Sequence, residues 1–385
     1  MTGETRTAQI KEAEVSQLDK VKVSLAKLKA KQSKFLFFVT QTTNPAASVY
    51  EIYFHATVVK KLGYSVKILT DTKTYEIPDW IEKDLTDFEH VSMDNAKLNV
   101  GPEDVLVIPE IFTNVMEQTK NLPCIRIGFL QSVDYMLNGI MPGVDWSTFG
   151  IKDIITTSNN LKDLINEYYK NKFNIKTYTL GLPSYFKPSG KPKKLVISLA
   201  GRNPNEVAKI IKLFYAKYPE YSFVTFDSML TNSKPPKPLN RKDYAERLGK
   251  NFAGVWIDRI ASFGTFPVEC MATGTIPIGI VPDIIPEYLL NEDGEVNENV
   301  GVWTQDLYAL PLVIGDVITK FLDDSISPEI YEGMKNVASK YSQEKSGEEL
   351  SIIYQSFIDN RINIFEKTIE AMEAPKEVSD INKPE

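Results

Sequence analysis

The stretch Val255-Trp256-Ile257-Asp258-Arg259-Ile260-Ala261-Ser262-Phe263-Gly264-Thr265-Phe266-Pro267-Val268-Glu269-Cys270-Met271-Ala272-Thr273-Gly274-Thr275-Ile276-Pro277-Ile278-Gly279 decides the fold of this chain. It divides into a short apolar run from Gly254 to Ile257, a turn of small residues from Ala261 to Thr265, and a helix with Pro267 near its start that stops at Thr273-Gly274. Proline suits a first helical turn, and glycine suits the left-handed position after a last turn. A second apolar strand, Ile276 to Val281, follows at once. This unit points the free N–H groups of Thr265 to Val268 past the end of a sheet, an arrangement that attracts phosphate. Glu269 lies close behind. A carboxylate there either stabilises the helix end or accepts hydrogen bonds from ribose hydroxyls, and spacing alone does not separate the two.

Outward from this stretch the same grammar repeats. Phe35 to Thr40 reads as a buried strand, Gln41 to Ser48 as a loop, Val49 to Leu62 as a helix closed by Gly63, and Val66 to Thr70 as the next strand. Such a βαβ unit is right-handed and gathers ligands at its carboxyl edge. It lacks Gly-x-Gly-x-x-Gly, which argues against a nicotinamide enzyme. Polar side chains just past apolar strands are therefore substrate-binding candidates: Thr42, Thr43, Asn44 and Ser48 in the first loop, Glu110 after Val105 to Ile108, and Gln131 and Asp134 after Cys124 to Phe129. For the two carboxylates, a solvated loop position is the competing reading. Farther on, Leu195 to Leu199 leads into Gly201-Arg202 and a helix from Asn205 to Tyr218, and Ser222 to Phe226 reads as the next strand. An arginine between a strand end and a helix start suits a pyrophosphate, with a surface ion pair as the alternative.

Composition sets the bounds. At 385 residues, with 43% hydrophobic and 25% charged residues, the chain suits a soluble protein of two domains. No apolar run approaches the roughly 18 residues of a membrane span, and no signal-peptide core opens the sequence, so a cytoplasmic location is expected. Cys124 and Cys270 lack Cys-x-x-Cys spacing and read as reduced and buried. With His55 and His90 the only histidines, a histidine-built metal site or a Ser-His-Asp triad has little to draw on, and His55 reads as a half-exposed structural residue. The net charge of −7 argues against broad nucleic-acid binding.

Residues 8 to 33 read as an amphipathic helix through Ile10, Val15, Leu18, Val21, Leu25 and Leu28. It is expected to pack on its own domain or on a second copy, giving a homo-oligomer. Its basic half, with Lys20, Lys22, Lys27, Lys29, Lys31 and Lys34, offers an anionic acceptor or a membrane surface as the rival partner. Leu307 to Leu322, Pro328 to Tyr341 and Gly347 to Met372 read as helices, and the polar tail as disordered.

The opening stretch resembles the nucleotide-sugar signature of the GT-B glycosyltransferases, above all the family-4-like retaining enzymes, with the pattern Ser-x-x-Glu-Gly-Phe-Gly-x-x-x-x-Glu-Ala-Met-Ala-x-Gly-x-Pro. Phe263, Gly264, Glu269, Met271, Ala272 and Gly274 match it, with Pro277 close behind. More distantly it resembles phage glucosyltransferases that act on hydroxymethylated DNA bases. The resemblance implies an α/β GT-B fold: two Rossmann-like parallel-sheet domains facing across a cleft, with an added N-terminal helix. The expected division is an N-terminal helix at 1–34, an acceptor domain at 35–188, a nucleotide-sugar domain at 189–345, a helix crossing back at 346–372, and the disordered tail at 373–385.

It also implies a glycosyltransferase that uses a UDP- or GDP-linked sugar, with retention and without a metal, since no Asp-x-Asp occurs in the chain. Glu269 falls on the carboxylate that holds the nucleotide ribose. The partner carboxylate for the donor sugar, eight residues earlier, is replaced by Ala261, with Asp258 and Arg259 nearby. Arg202 falls on the diphosphate-binding arginine, and Lys209 would have to reach back for the family's lysine. Thr265 opens the phosphate-facing helix. Gln131 stands where relatives often carry a histidine. The catalytic weight thus falls on Arg202, Glu269 and Gln131, no cofactor beyond the co-substrate is implied, and the partners are a nucleotide-sugar and an acceptor glycan or modified DNA. For the phage-like reading, the location is a host cytoplasm. Two rivals remain: a sugar-nucleotide epimerase on the same fold and a non-catalytic GT-B-like binding module.

Overall fold

The structure, a computed structural model, describes residues 3–42, 45–93, 99–138, 140–228, 239–260 and 263–374, the side chains of 3–14 and 228 excepted. Among these residues one parallel sheet is built from β1 (Lys34–Val39), β2 (Ser65–Thr70), β3 (Glu89–Ser92), β4 (Val105–Pro109), β5 (Ile125–Leu130), β6 (Asp153–Thr156) and β7 (Asn174–Thr177). Their spatial order is β3-β2-β1-β4-β5-β6-β7. The second parallel sheet contains β8 (Lys194–Ala200), β9 (Thr225–Ser228), β10 (Asn251–Trp256), β11 (Ile276–Ile280) and β12 (Val302–Thr304), in the order β12-β11-β10-β8-β9. Central strands such as β1, β4 and β10 are apolar but for Lys34 and Asn251 at the starts of β1 and β10, because helices cover both faces of each sheet. Chain order reverses between β1 and β4 in the first sheet and between β8 and β10 in the second. Ligands of such sheets bind beyond the carboxyl ends of strands at these reversals.

Two elements tie the ends of the chain to the first sheet. The helix Gln343–Glu373 returns from the second sheet and places Leu350, Tyr354 and Phe357 in the first core, where Tyr354 meets Phe35 and Phe37 edge-on at 5.8 and 5.9 Å. The N-terminal helix Gly3–Lys29 runs antiparallel beside it, pairing Lys29 with Glu366 at 2.7 Å and Lys22 with Glu373 at 2.6 Å. Leu28 is buried in the same core, and Ser24 and Lys27 both reach Glu103. This half of the helix is thus engaged within its own chain.

Two local expectations are corrected. The strand expected at Ser222 to Phe226 forms instead at Thr225–Ser228, because a turn at Pro219–Tyr221 delays its entry and Val196 pairs with Thr225. His55 is 1% exposed rather than half-exposed. The returning helix covers it, so that Nδ1 lies 2.8 Å from the Tyr354 hydroxyl, and burial pushes its pKa down to about 3. The tail beyond Ala374 and most of the basic loop from Lys234 onward lie outside the described residues.

Candidate functional site

The second sheet supplies the better-defined wall. Trp256 at the end of β10 pairs in register with Ala200 at the end of β8, so the residues that follow each strand emerge side by side at the chain-order reversal. Gly201 is needed there because a Cβ would run into Ile257. The backbone N–H of Arg202 donates to Asp258 Oδ1 at 2.8 Å, and the indole N–H of Trp256 donates to Asp258 Oδ2 at 3.3 Å. Asp258 therefore fixes the loop that carries Arg202.

Gly264 caps the next helix, Thr265–Ala272, at φ 69°, and its Cα faces the Trp256 ring, where a Cβ would collide. The hydroxyl of Tyr288 donates to the carbonyls of Phe263 and Gly264 at 2.7 and 2.6 Å, which anchors the turn before the helix. Gly274 ends that helix at φ 66°, as its sequence position requires. Arg259 is exposed and its carbonyl accepts from the N–H of Asp283 at 2.7 Å. Ala261 lies outside the described residues.

Arg202 reaches across to the first domain, with its guanidinium 5.2 Å from the centre of the Tyr135 ring. Glu110 follows β4 at the reversal of the first sheet and is 3% exposed. Burial pushes its carboxyl up to about 8, against the opposing pull of the N–H groups of Glu110, Gln131 and Ser132 and of the Arg202 charge. Glu110 Oε2 and Ser132 Oγ are buried without a hydrogen-bond partner. Gln131 donates to the Ser48 carbonyl at 3.5 Å, and Asp134 lies in the short helix Val133–Leu137, half-buried. Thr42 is half-buried near the start of the first loop, while Thr43 and Asn44 lie outside the described residues.

The structure thus brings together Arg202, Asp258, Tyr135, Glu110 and Gln131. The Lys209 ammonium lies 5.4 Å from the centre of the Tyr308 ring. Among the described residues, no group of three or more His, Cys, Asp and Glu side chains has the spacing to hold a metal.

Glu269 has company that no sequence spacing suggested. It is 3% exposed; Oε1 accepts from Arg241 Nη2 at 2.9 Å and Oε2 from the Tyr244 hydroxyl at 2.8 Å. Arg241 opens the helix Arg241–Leu248 and stacks over Tyr50 of the first domain at 4.4 Å and over Phe186 at 5.2 Å. Another cross-domain tie comes from Glu287, whose Oε1 accepts from Ser158 Oγ at 3.1 Å and from the N–H groups of Asn159 and Asn160 at the start of the helix Asn159–Tyr168. A carboxylate at a helix start is favourable on both hydrogen-bond and dipole grounds.

The Glu110 carboxyl has a pH consequence. Its pKa is raised in the folded chain, so the native state holds an extra proton between about pH 4.5 and about 8, and stability falls as pH rises through that window. Glu110→Gln is expected to match the parent at pH 5 and to exceed it in stability at pH 8, read from urea unfolding at the two values. Equal differences at both would show that the carboxyl ionises freely.

No protein-family profile matches the sequence, and no curated protein does. Among solved structures, the pneumococcal O-GlcNAc transferase GtfA, solved with UDP and GlcNAc, aligns over 89% of this chain and 100% of its own, at 9% identity and TM-score 0.58. Sucrose-phosphate synthase from Thermosynechococcus elongatus aligns over 86% and 100%, at 11% identity and TM-score 0.57. An alpha-glucosyltransferase solved with UDP aligns over 85% and 99%, at 13% identity and TM-score 0.54. The fold is therefore the GT-B fold of glycosyltransferases, as the opening stretch implied.

Proposed function

We propose that this protein is a glycosyltransferase that moves a sugar from a nucleoside-diphosphate donor, UDP- or GDP-linked, to an acceptor hydroxyl. The observation that carries this reading is the meeting of the two sheet reversals: Arg202 and Asp258 after β8 and β10 face Tyr135 and Glu110 after β5 and β4. Arg202 and the helix start at Thr265 would hold the diphosphate, and Glu269 the ribose. UDP is present in two of the similar structures, which supports a nucleotide in this place.

The reading includes retention without a metal. The C1–O bond to phosphate breaks with its electron pair going to the diphosphate, the acceptor oxygen bonds C1 on the same face, and the acceptor proton passes to a diphosphate oxygen. A chain with two histidines and no Asp-x-Asp suits such leaving-group chemistry. For the acceptor, a glycan hydroxyl is favoured over modified DNA. Of the lysines on which the DNA reading draws, Lys22, Lys27, Lys29 and Lys34 each lie within 4 Å of a carboxylate of this chain, which leaves them less free to pair with phosphates.

The test is a thermal-shift series with UDP, GDP, ADP and dTDP and their common sugars, with and without added divalent cation. A ligand at about 100 times its Kd adds roughly 2.7 kcal/mol, so the true nucleotide is expected to stand out. No stabilisation by any of them would leave the non-catalytic binding module as the better reading.

A further inference from the structure

We propose that Arg241 is a positioning residue that couples nucleotide binding in the second domain to the seating of the first: it holds Glu269 in place on one side and rests on Tyr50 on the other. The inference rests on the reading of Glu269 as the ribose-binding carboxylate.

Arg241 is placed by contacts from both domains. Its backbone N–H donates to the carbonyl of Trp80, in the first domain, at 3.2 Å. Its guanidinium spends Nη2 on Glu269, while Nε is buried without a hydrogen-bond partner. The plane of the group is therefore held by the Tyr50 and Phe186 rings rather than by a second acceptor. A guanidinium desolvated between rings gains more from stacking than an exposed one does. Tyr50 is itself fixed, 1% exposed in the helix Ala47–Lys61, with its hydroxyl accepting from Gln343 Nε2 at 3.0 Å. Beside it, Tyr185 donates to Glu82, so a further first-domain carboxylate is held against the segment that joins the domains.

The geometry makes Glu269 depend on a side chain of the other domain. If the domains part, Arg241 loses its Tyr50 platform and the Trp80 carbonyl together, and the carboxylate loses the donor that orients Oε1. Tyr244 alone then holds Oε2. Nucleotide affinity should therefore respond to the Tyr50 ring, although Tyr50 belongs to the first domain.

The experiment measures UDP and GDP affinity by calorimetry on the full chain and carries the tighter-binding nucleotide through the variants. Tyr50→Leu is expected to raise the Kd roughly tenfold, as loss of a buried cation–ring contact would. Tyr50→Phe, which keeps the ring and loses only the Gln343 bond, is expected to stay within about twofold of the parent. Tyr53→Leu is the control: it removes an equally buried ring one turn along the same helix, where the hydroxyl meets Tyr75 and His90 instead. It is expected to leave the Kd unchanged. Equal effects of Tyr50→Leu and Tyr53→Leu, or none from either, would overturn the coupling while leaving the nucleotide reading intact. A parent protein that binds neither UDP nor GDP would overturn the nucleotide reading itself. Solution scattering then decides the seating of the domains: expansion of Tyr50→Leu but not of Tyr53→Leu upholds the role of Arg241 in it, and no difference between the two overturns it.

Discussion

An Arg241→Ala substitution is expected to lower the stability of this protein by about 3–5 kcal/mol, the usual cost of leaving one member of a buried ion pair alone. The pair has the features that make such losses large. Glu269 is 4% and Arg241 10% exposed at the side chain, and the bond between them is 2.9 Å. Burial works against the Arg241 charge, but the Glu269 carboxylate and the surrounding tyrosines outweigh it and hold the guanidinium protonated. Most of the loss is therefore the cost of a stranded carboxylate, which a second change should relieve. Arg241→Ala combined with Glu269→Gln is expected to regain much of the stability in urea unfolding. A double variant no better than the single one would show that the ring stacking, not the charge, carries the effect.

Arg202→Ala is expected to act in the opposite way, leaving stability unchanged and lowering turnover about 100-fold or more. Its side chain is 48% exposed, and its ion pair with Asp258 is long, at 3.7 Å, so little of the fold rests on it. The loop survives without the side chain because the backbone N–H, not the guanidinium, makes the 2.8 Å bond to Asp258. A donor aimed at a leaving diphosphate matters most in the transition state, so the loss should fall on kcat more than on KM. Near-normal transfer by this variant, once the donor is known, would remove the diphosphate role from Arg202.

What could be read in the sequence is what is local. Five buried residues in a row make β1, and Gly274 closes a helix in the left-handed region, so both the strand and the helix end are written within a few residues of themselves. Gly201-Arg202 at a strand end was legible for the same reason. The partners of Glu269 were not, since Arg241 precedes it by 28 positions and stands in a polar helix with no periodic signal. The burial of His55 depends on Tyr354, which lies 299 positions away. The cap that Glu287 gives to Asn159 and Asn160 spans more than 120 positions. Lys209 was legible as a basic residue near the right loop, but only the folded helix shows it turned toward Tyr308. Hydrophobic period and turn chemistry specify elements, whereas polar contacts between domains leave no trace in local spacing.

The returning helix gives the molecule an unusual order of completion during synthesis. The seven strands of the first sheet all lie before residue 178, yet Phe35 and Phe37 wait for Tyr354 to close over them, and Asn159 waits for Glu287. The part of the chain made first is therefore finished last, only after residues 343–373 have left the ribosome. Until then its apolar surface needs shelter from neighbouring nascent chains.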